Sequence, residues 1–289
     1  MIDKYPKISI VTPSYNQSLY LEQTILSVLE QNYPNLEYVI IDGGSSDDSV
    51  KIIRKYEKYL AYWVSESDKG MYHALQKGFS RTTGEIMGWI NSDDMYHWGA
   101  FSVVSEIFSQ HRQIDWLSGI PTIFDEKGRT VNIRHFFNYS RFGFLMQNRQ
   151  WIQQESTFWR KSLWEKAGGY ISENYRLAGD FELWMRFFRY SKPVVVNALI
   201  GGFRVRKTGQ LSIAQKESYI AEANEIIVRE IGLLSNKERR DLKKLKFLLQ
   251  IVDYPFVNRL FKIAPKIHRL YDYPHQLKFN TNTQTFELE

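Results

Sequence analysis

Apolar positions along the first hundred residues switch repeatedly between two periods. Lys7 to Thr12 (KISIVT) is a short apolar run broken by Pro13-Ser14-Tyr15-Asn16, and it reads as a buried strand. Leu19 to Glu30 then places Leu21, Ile25, Val28 and Leu29 at helical spacing, and Asn32-Tyr33-Pro34-Asn35 stops that helix. A second strand, Tyr38 to Ile41, ends at Asp42-Gly43-Gly44. Ser46-Asp47-Asp48 then signals an N-cap before a helix carrying Val50, Ile52, Ile53 and Tyr56. Ala61 to Val64 is a third strand, Gly70 to Phe79 a third helix, and Glu85 to Ile90 a fourth strand. Such alternation demands a mostly parallel sheet with right-handed crossovers. All four strand ends then fall on one rim, which is where open α/β sheets bind ligands.

Further along, the pattern is less regular. Asp115–Gly119 and Ser156–Trp159 read as strands, and Asp125-Glu126-Lys127-Gly128 as the turn between Ile120–Phe124 and Thr130–Ile133. Phe181 to Tyr190 puts Phe181, Trp184, Met185 and Phe188 on one helical face, and a further helix runs from Glu217 to Ile231. Trp89 and Trp159 read as core residues. After residue 235 two basic helical patterns follow. Leu242, Leu245, Leu248, Leu249 and Val252 alternate with Lys243, Lys244 and Lys246; Val257, Leu260, Phe261, Ile263, Ile267 and Leu270 alternate with Arg259, Lys262, Lys266 and Arg269. The division expected is a domain over 1–235 and a basic, amphipathic helical extension over 236–289, frayed from Thr281 to Glu289.

With 289 residues, 43% hydrophobic and 24% charged, the chain is globular. The absence of cysteine excludes disulfides, thiolate metal sites and cysteine nucleophiles, and fits a reducing compartment. An early Asp3 and a short apolar run argue against a secretory leader, and no segment approaches a membrane span. A cytoplasmic protein is expected. The net charge of +6 is concentrated in residues 236–289, which hold 11 Lys or Arg and 6 Asp or Glu. That tail either packs on the main domain or sits on an anionic membrane at its inner face. It carries no nucleic-acid motif, and no nucleic-acid partner is expected.

The chemistry concentrates at Asn91-Ser92-Asp93-Asp94, directly after the fourth strand. Two adjacent carboxylates there could cap the next helix or lie in a solvated loop. Their desolvation would cost several kcal/mol each, and a divalent cation with oxygen ligands would offset it.

The segments KISIVTPSYNQSLYLEQTILSVLEQNYPNLEYVIIDGGSSDDS, SESDKGMYHALQKG, TGEIMGWINSDDMY, QESTFWRKSLWEKAGGY and AGDFELWMRF, in this order, resemble the inverting family 2 glycosyltransferases of GT-A fold over residues 7–210. The resemblance implies an α/β fold with a Rossmann-like, mostly parallel sheet, and a nucleoside diphosphate sugar as donor. Asp42 falls where the family reads the base, with Gly43 where a second Asp is frequent, and Asp68 helps hold the nucleotide. Pro13, Tyr15 and Asn16 line the same pocket. Asp93 faces the ribose, and Asp94 coordinates Mg²⁺ or Mn²⁺, which neutralises the departing diphosphate. Asp180 corresponds to the catalytic base, with Gly179 in place of the preceding Glu. It would accept the proton of an acceptor hydroxyl in a single, inverting displacement. Gln154 and Glu155 fall in the acceptor or diphosphate pocket, or merely cap a strand. Arg204 and Arg206 lie in GGFRVRKTGQLS, and Arg204 is assigned to the same acceptor or diphosphate pocket. Arg206 stands where many relatives have His and is either a phosphate contact or a surface charge. The acceptor is a saccharide or a lipid-linked saccharide, in surface polysaccharide or glycolipid synthesis. Two other readings are a non-catalytic nucleotide-sugar-binding relative and a nucleotidyltransferase. The second would need a Gly-rich, Arg-containing loop where this chain has PSYNQS.

Overall fold

Every side chain of β1 (Ile8–Ser14) is buried, so this strand can only be central, with a layer on each face. In the computed structural model, which describes residues 5–134, 139–147, 151–207 and 215–288, β1 pairs in parallel with β2 (Leu36–Asp42) and β4 (Ile86–Trp89), and β2 with β3 (Tyr62–Ser65). The register sets Ser14 beside Asp42 and Asp42 beside Ser65, which aligns the strand ends on one rim as the alternation requires. On the other flank lie β9 (Thr157–Arg160), antiparallel to both neighbours, then β6 (Trp116–Ser118) and β10 (Val194–Val196). The last two strands, β12 (Gln276–Asn280) and β13 (Thr285–Leu288), complete a nine-stranded sheet. The sheet is mostly parallel, as expected.

Period-2 alternation sorts the strand side chains between two cores. Ile8, Ile10, Tyr38 and Ile40 face α1 (Leu21–Leu29), α2 (Ser49–Tyr56) and α4 (Ala100–Gln110) through Ile25, Val28, Ile53, Phe101 and Val104. Val11, Val39, Ile41 and Trp89 face α3 (Met71–Phe79) and α7 (Gly179–Phe187). Trp184 lies between Trp89 and Trp116, stacked on both with centroids 5.7 and 5.6 Å away. The tryptophans are therefore packing residues, as read from the sequence.

A second, four-stranded sheet combines β5 (Met95–Tyr96), β11 (Gly201–Arg204), β7 (Thr122–Phe124) and β8 (Thr130–Ile133). Only the β7–β8 hairpin was legible in advance. Its partners matter more, because β5 follows Asp94 directly and β11 ends at Arg204. The second sheet thereby joins the acidic turn to two arginines more than a hundred residues away.

One expectation fails outright. The segment from Thr281 is not frayed: Phe279 and Phe286 pack edge to face in the β12–β13 hairpin, and Leu277 is fully buried. Thr208 to Ser212 of GGFRVRKTGQLS, like Glu289, lies outside the described residues.

Candidate active site

Three loops build one side of the rim. After β1, Asn16 takes a left-handed conformation (φ 51°), which Asn tolerates. Its N–H donates to Ser45 Oγ at 2.8 Å and its Oδ1 accepts from the Ser46 N–H at 2.9 Å, which ties the first loop to the second. Asp47 makes the same connection, accepting from the N–H groups of Ser18 and Ser49. Burial works against its charge, but hydrogen bonds from Ser49 and Ser18 prevail and lower it to about 2. Pro13 is buried in β1, whereas Tyr15 is 61% exposed.

Asp42 does not lie open to a ligand as its base-reading role requires. Its carboxylate is fully buried and accepts from the N–H groups of Gly44 and Ser45 and from the hydroxyls of Ser45 and Ser65. Four donors from its own surroundings make it the anchor of the loop. The accessible carboxylate here is Asp68, which caps the N–H of Gly70 at 2.7 Å. A Cβ on Gly43 would stand 2.8 Å from Asp68 Oδ2, so the glycine leaves room for this side chain.

The two members of the acidic pair have different surroundings. Asp94 is 1% exposed. Its Oδ1 accepts from the Arg204 N–H at 2.7 Å and its Oδ2 from Asn91 Nδ2 at 3.1 Å. Glu155, also buried, hydrogen-bonds the same carboxyl. Burial, and repulsion from Glu155 and Asp93, push Asp94 well above the ordinary carboxylate range; burial raises Glu155 to about 7. Asp93, by contrast, meets the Arg206 guanidinium at 2.9 Å. Burial pushes Asp93 upward and Arg206 opposes that shift.

Neither arginine is a surface charge. Arg204 is fully buried, donating through Nε to the Asp93 carbonyl and through Nη1 to the Glu126 carbonyl. That makes it a brace for the acidic turn rather than a pocket residue. Arg206 Nη1 donates to Gln17 Oε1 at 3.1 Å, and both guanidiniums lie over the Tyr20 ring. Gln154 is buried with its amide on the Trp89 carbonyl, so it too braces the strand end.

Asp180 lies at the start of α7, where the helix dipole favours a carboxylate. Burial nevertheless raises it to about 6, against hydrogen bonds from the Phe181 N–H and Tyr72. The Tyr72 hydroxyl donates to the Leu177 carbonyl at 2.7 Å, accepts from the Asp180 N–H at 3.3 Å and lies 3.4 Å from Asp180 Oδ1. From α8 (Lys216–Gly232), Tyr219 hydrogen-bonds the same carboxylate. Glu222 accepts from the N–H groups of Leu177 and Ala178 and fixes the approach to the helix. Sequence reasoning missed Tyr72, Tyr219, Glu222 and Tyr20. The one available signal was Gly179 itself. A Cβ there would fall 2.8 Å from three atoms of the Tyr72 ring, so the tyrosine fills the space a side chain would need. Gly179→Ala is expected to displace Tyr72, lower stability by about 1–3 kcal/mol as overpacked positions do, and reduce kcat more than it raises KM. Urea denaturation and steady-state kinetics check this; a variant with unchanged kcat would show that the contact does not position Asp180.

A divalent cation fits this donor set in a limited way. Asp93, Asp94 and Glu155 crowd negative charge together, and burial or mutual repulsion raises all three. Among the described residues no trio of His, Cys, Asp or Glu forms a ready cage. An ion that keeps waters and takes one protein carboxylate, completed by phosphate oxygens, suits such a site.

A mostly parallel sheet with an acidic turn at its rim and a second sheet bracing that turn is the GT-A fold of the solved structures this chain resembles. The chain belongs to glycosyl transferase family 2, whose family model matches residues 9–166. It is 29% identical over 212 residues to an uncharacterized glycosyltransferase of Mycobacterium tuberculosis, covering 71% of this chain and 77% of that protein. Over 96 residues it is 35% identical to a putative teichuronic acid biosynthesis glycosyltransferase of Bacillus subtilis, covering 32% of this chain and 37% of that protein. Among solved structures, S. aureus TarS 1-349 in complex with UDP-GlcNAc matches with a TM-score of 0.66 at 18% identity, over 91% of this chain and 79% of that one. Of a longer TarS chain, this protein spans 44%. A mannosyltransferase from Pyrobaculum calidifontis in complex with GDP-Man and Mn²⁺ matches at 0.54 and 17% identity, over 92% and 86% of the two chains. At these identities the structures speak for the fold.

Proposed function

We propose that this protein is an inverting glycosyltransferase that moves a sugar from a nucleoside diphosphate sugar, a UDP-sugar first, to a hydroxyl of a saccharide or lipid-linked acceptor in cell-surface polysaccharide or glycolipid synthesis. The observation that carries the reading is Asp180. It is held by two tyrosines at a helix start and raised to about 6 by burial, so it is ionised at neutral pH yet basic enough to accept a proton. Asp180 takes the proton of the acceptor hydroxyl while that oxygen attacks the anomeric carbon. The bond to the diphosphate oxygen breaks on the opposite face, and the anomeric configuration inverts. The loops around Asn16 and Asp68 hold the nucleotide, with Tyr15 as a stacking face for the base. Arg206 is placed to grip diphosphate oxygens. Asp93, rather than Asp94, presents the carboxylate for Mg²⁺ or Mn²⁺; when bound, such an ion supplies positive charge as the diphosphate departs. The donor class draws support from TarS with UDP-GlcNAc and the pathway from the Bacillus relative's name.

A thermal-shift panel of UDP-, GDP- and dTDP-sugars, with and without Mn²⁺, tests the donor. A ligand at a hundred times its Kd stabilises by about 2.7 kcal/mol. UDP-sugars with Mn²⁺ are expected to raise the Tm most; no shift with any nucleotide sugar would remove the proposal.

A further inference from the structure

The helices after residue 235 carry a surface that the transfer reaction does not use. We infer that the tip formed by α9 (Asn236–Ile251), α10 (Pro255–Phe261) and α11 (Ile263–Tyr271) is a docking surface for an anionic phospholipid membrane.

These helices have an inner seam that is already satisfied. Leu242, Leu245 and Leu248 of α9 and Ile263 of α11 are buried. Ser235 and Glu238 form a capping box at the start of α9, and Glu238 pairs with Arg141. Ser140 donates to the carbonyl of Tyr271, and Lys192 meets Asp272 at 2.5 Å. The element is therefore fastened to the domain, and its remaining side chains form an outer surface.

That outer face combines two properties seldom found together on a purely solvent-facing surface. Phe247 is 59% exposed, Tyr254 62%, Phe256 78%, Leu260 61% and Phe261 55%. Five large apolar side chains thus face water within fifteen residues. Around them Lys243, Lys244, Lys246, Arg259, Lys262, Lys266 and Arg269 are exposed, against a single acid, Asp253, between Leu242 and Tyr271. Exposed apolar side chains interspersed with exposed Lys and Arg along these helices complement a bilayer interface, where rings sit at headgroup level and cations meet lipid phosphates. A protein partner would need an apolar and strongly acidic face of matching shape; a bilayer needs no shape. Among the described residues no helix is long and apolar enough to span a membrane, so the mode is peripheral.

The position of the surface adds a consequence. Tyr219 of α8 touches Asp180, Glu230 of the same helix pairs with Arg189, and Arg141 lies between Glu230 and Glu238 of α9. Leu242 shares its apolar core with Phe181 and Ile226. The first docking helix and the helix that carries the base therefore pack into one apolar core.

Vesicle flotation of the full chain tests the inference without reference to activity. Vesicles of phosphatidylcholine alone are compared with vesicles containing a third phosphatidylglycerol, at low and high salt. The expected result is flotation with anionic vesicles, at least tenfold weaker with neutral ones and weakened by salt. The triple variant Phe256→Ser, Leu260→Ser, Phe261→Ser should lose flotation at least tenfold while keeping the parent Tm and circular dichroism. Arg259→Glu, Lys262→Glu, Lys266→Glu should lose only the preference for anionic lipid. Failure of the parent to float with anionic vesicles overturns the inference. So does equal flotation of parent and triple apolar variant, or light scattering that shows a stable dimer whose formation depends on those three residues.

Discussion

Asp180→Asn is expected to keep donor binding and lose transfer by about three orders of magnitude, within the range of a positioned general base. The amide fits the same space, and its oxygen can still accept from the Phe181 N–H and the Tyr219 hydroxyl, but it cannot take a proton. The same substitution should not destabilise the protein at neutral pH. Free aspartate titrates near 3.8 and Asp180 at about 6, so the folded state binds more protons than the unfolded one between those values. Stability therefore falls as pH rises through that window, by at most about 3 kcal/mol for two units. Above pH 6 the wild type carries this cost in full and the asparagine variant does not. Its Tm at pH 8 should equal or exceed that of the parent. In the wild type, kcat/KM should fall with an apparent pKa near 6 as the pH is lowered. Radiolabelled transfer, a pH profile and a melting curve separate the parts. A variant retaining a tenth of the activity would remove Asp180 as the base.

The four strand–helix units were legible because each rests on local signals: an apolar run, a breaker at Pro13 or Gly43, a helical period after it. What escaped was decided by partners far away in the chain. Val194–Val196 is too short to announce a strand, and it becomes one by pairing with Leu117 and Gln276. The tail from Gln276 to Leu288 is rich in Asn and Thr and reads as a loop until Leu277 and Phe286 find the sheet. The site repeats this lesson. Asp42 and Asp94 were named for their chemistry, but the groups that enclose them, Ser65 for one and Arg204 for the other, lie 23 and 110 positions away. Tyr72 reaches Asp180 across 108 positions. Sequence order showed which carboxylates gather at the rim. Which of them faces outward depends on packing against the second sheet, for which the chain carries no local mark.

Replacing the two adjacent aspartates one at a time should give opposite phenotypes. In Asp93→Asn the fold loses only the ion pair with Arg206, at a side chain 15% exposed, so the Tm should move little. Mn²⁺-dependent UDP binding should weaken at least tenfold, and transfer by 10² or more, since charge on the leaving group is worth several kcal/mol. Asp94→Ala removes the acceptor for the Arg204 N–H and for Asn91. Unpaired buried donors cost about 1–3 kcal/mol each, so this variant should melt several degrees lower. Asp94→Asn is the informative intermediate. Its oxygen can still accept from the Arg204 N–H and its amide can donate to Glu155, and Mn²⁺ affinity should stay within about threefold of the parent because Asp93 carries the ion. Titration calorimetry of Mn²⁺ in the presence of UDP reads the three variants directly. If Asp94→Asn abolished Mn²⁺ binding while Asp93→Asn kept it, the ion would belong to Asp94, and the hydrogen bonds now closing over that carboxylate would have to open when the donor arrives.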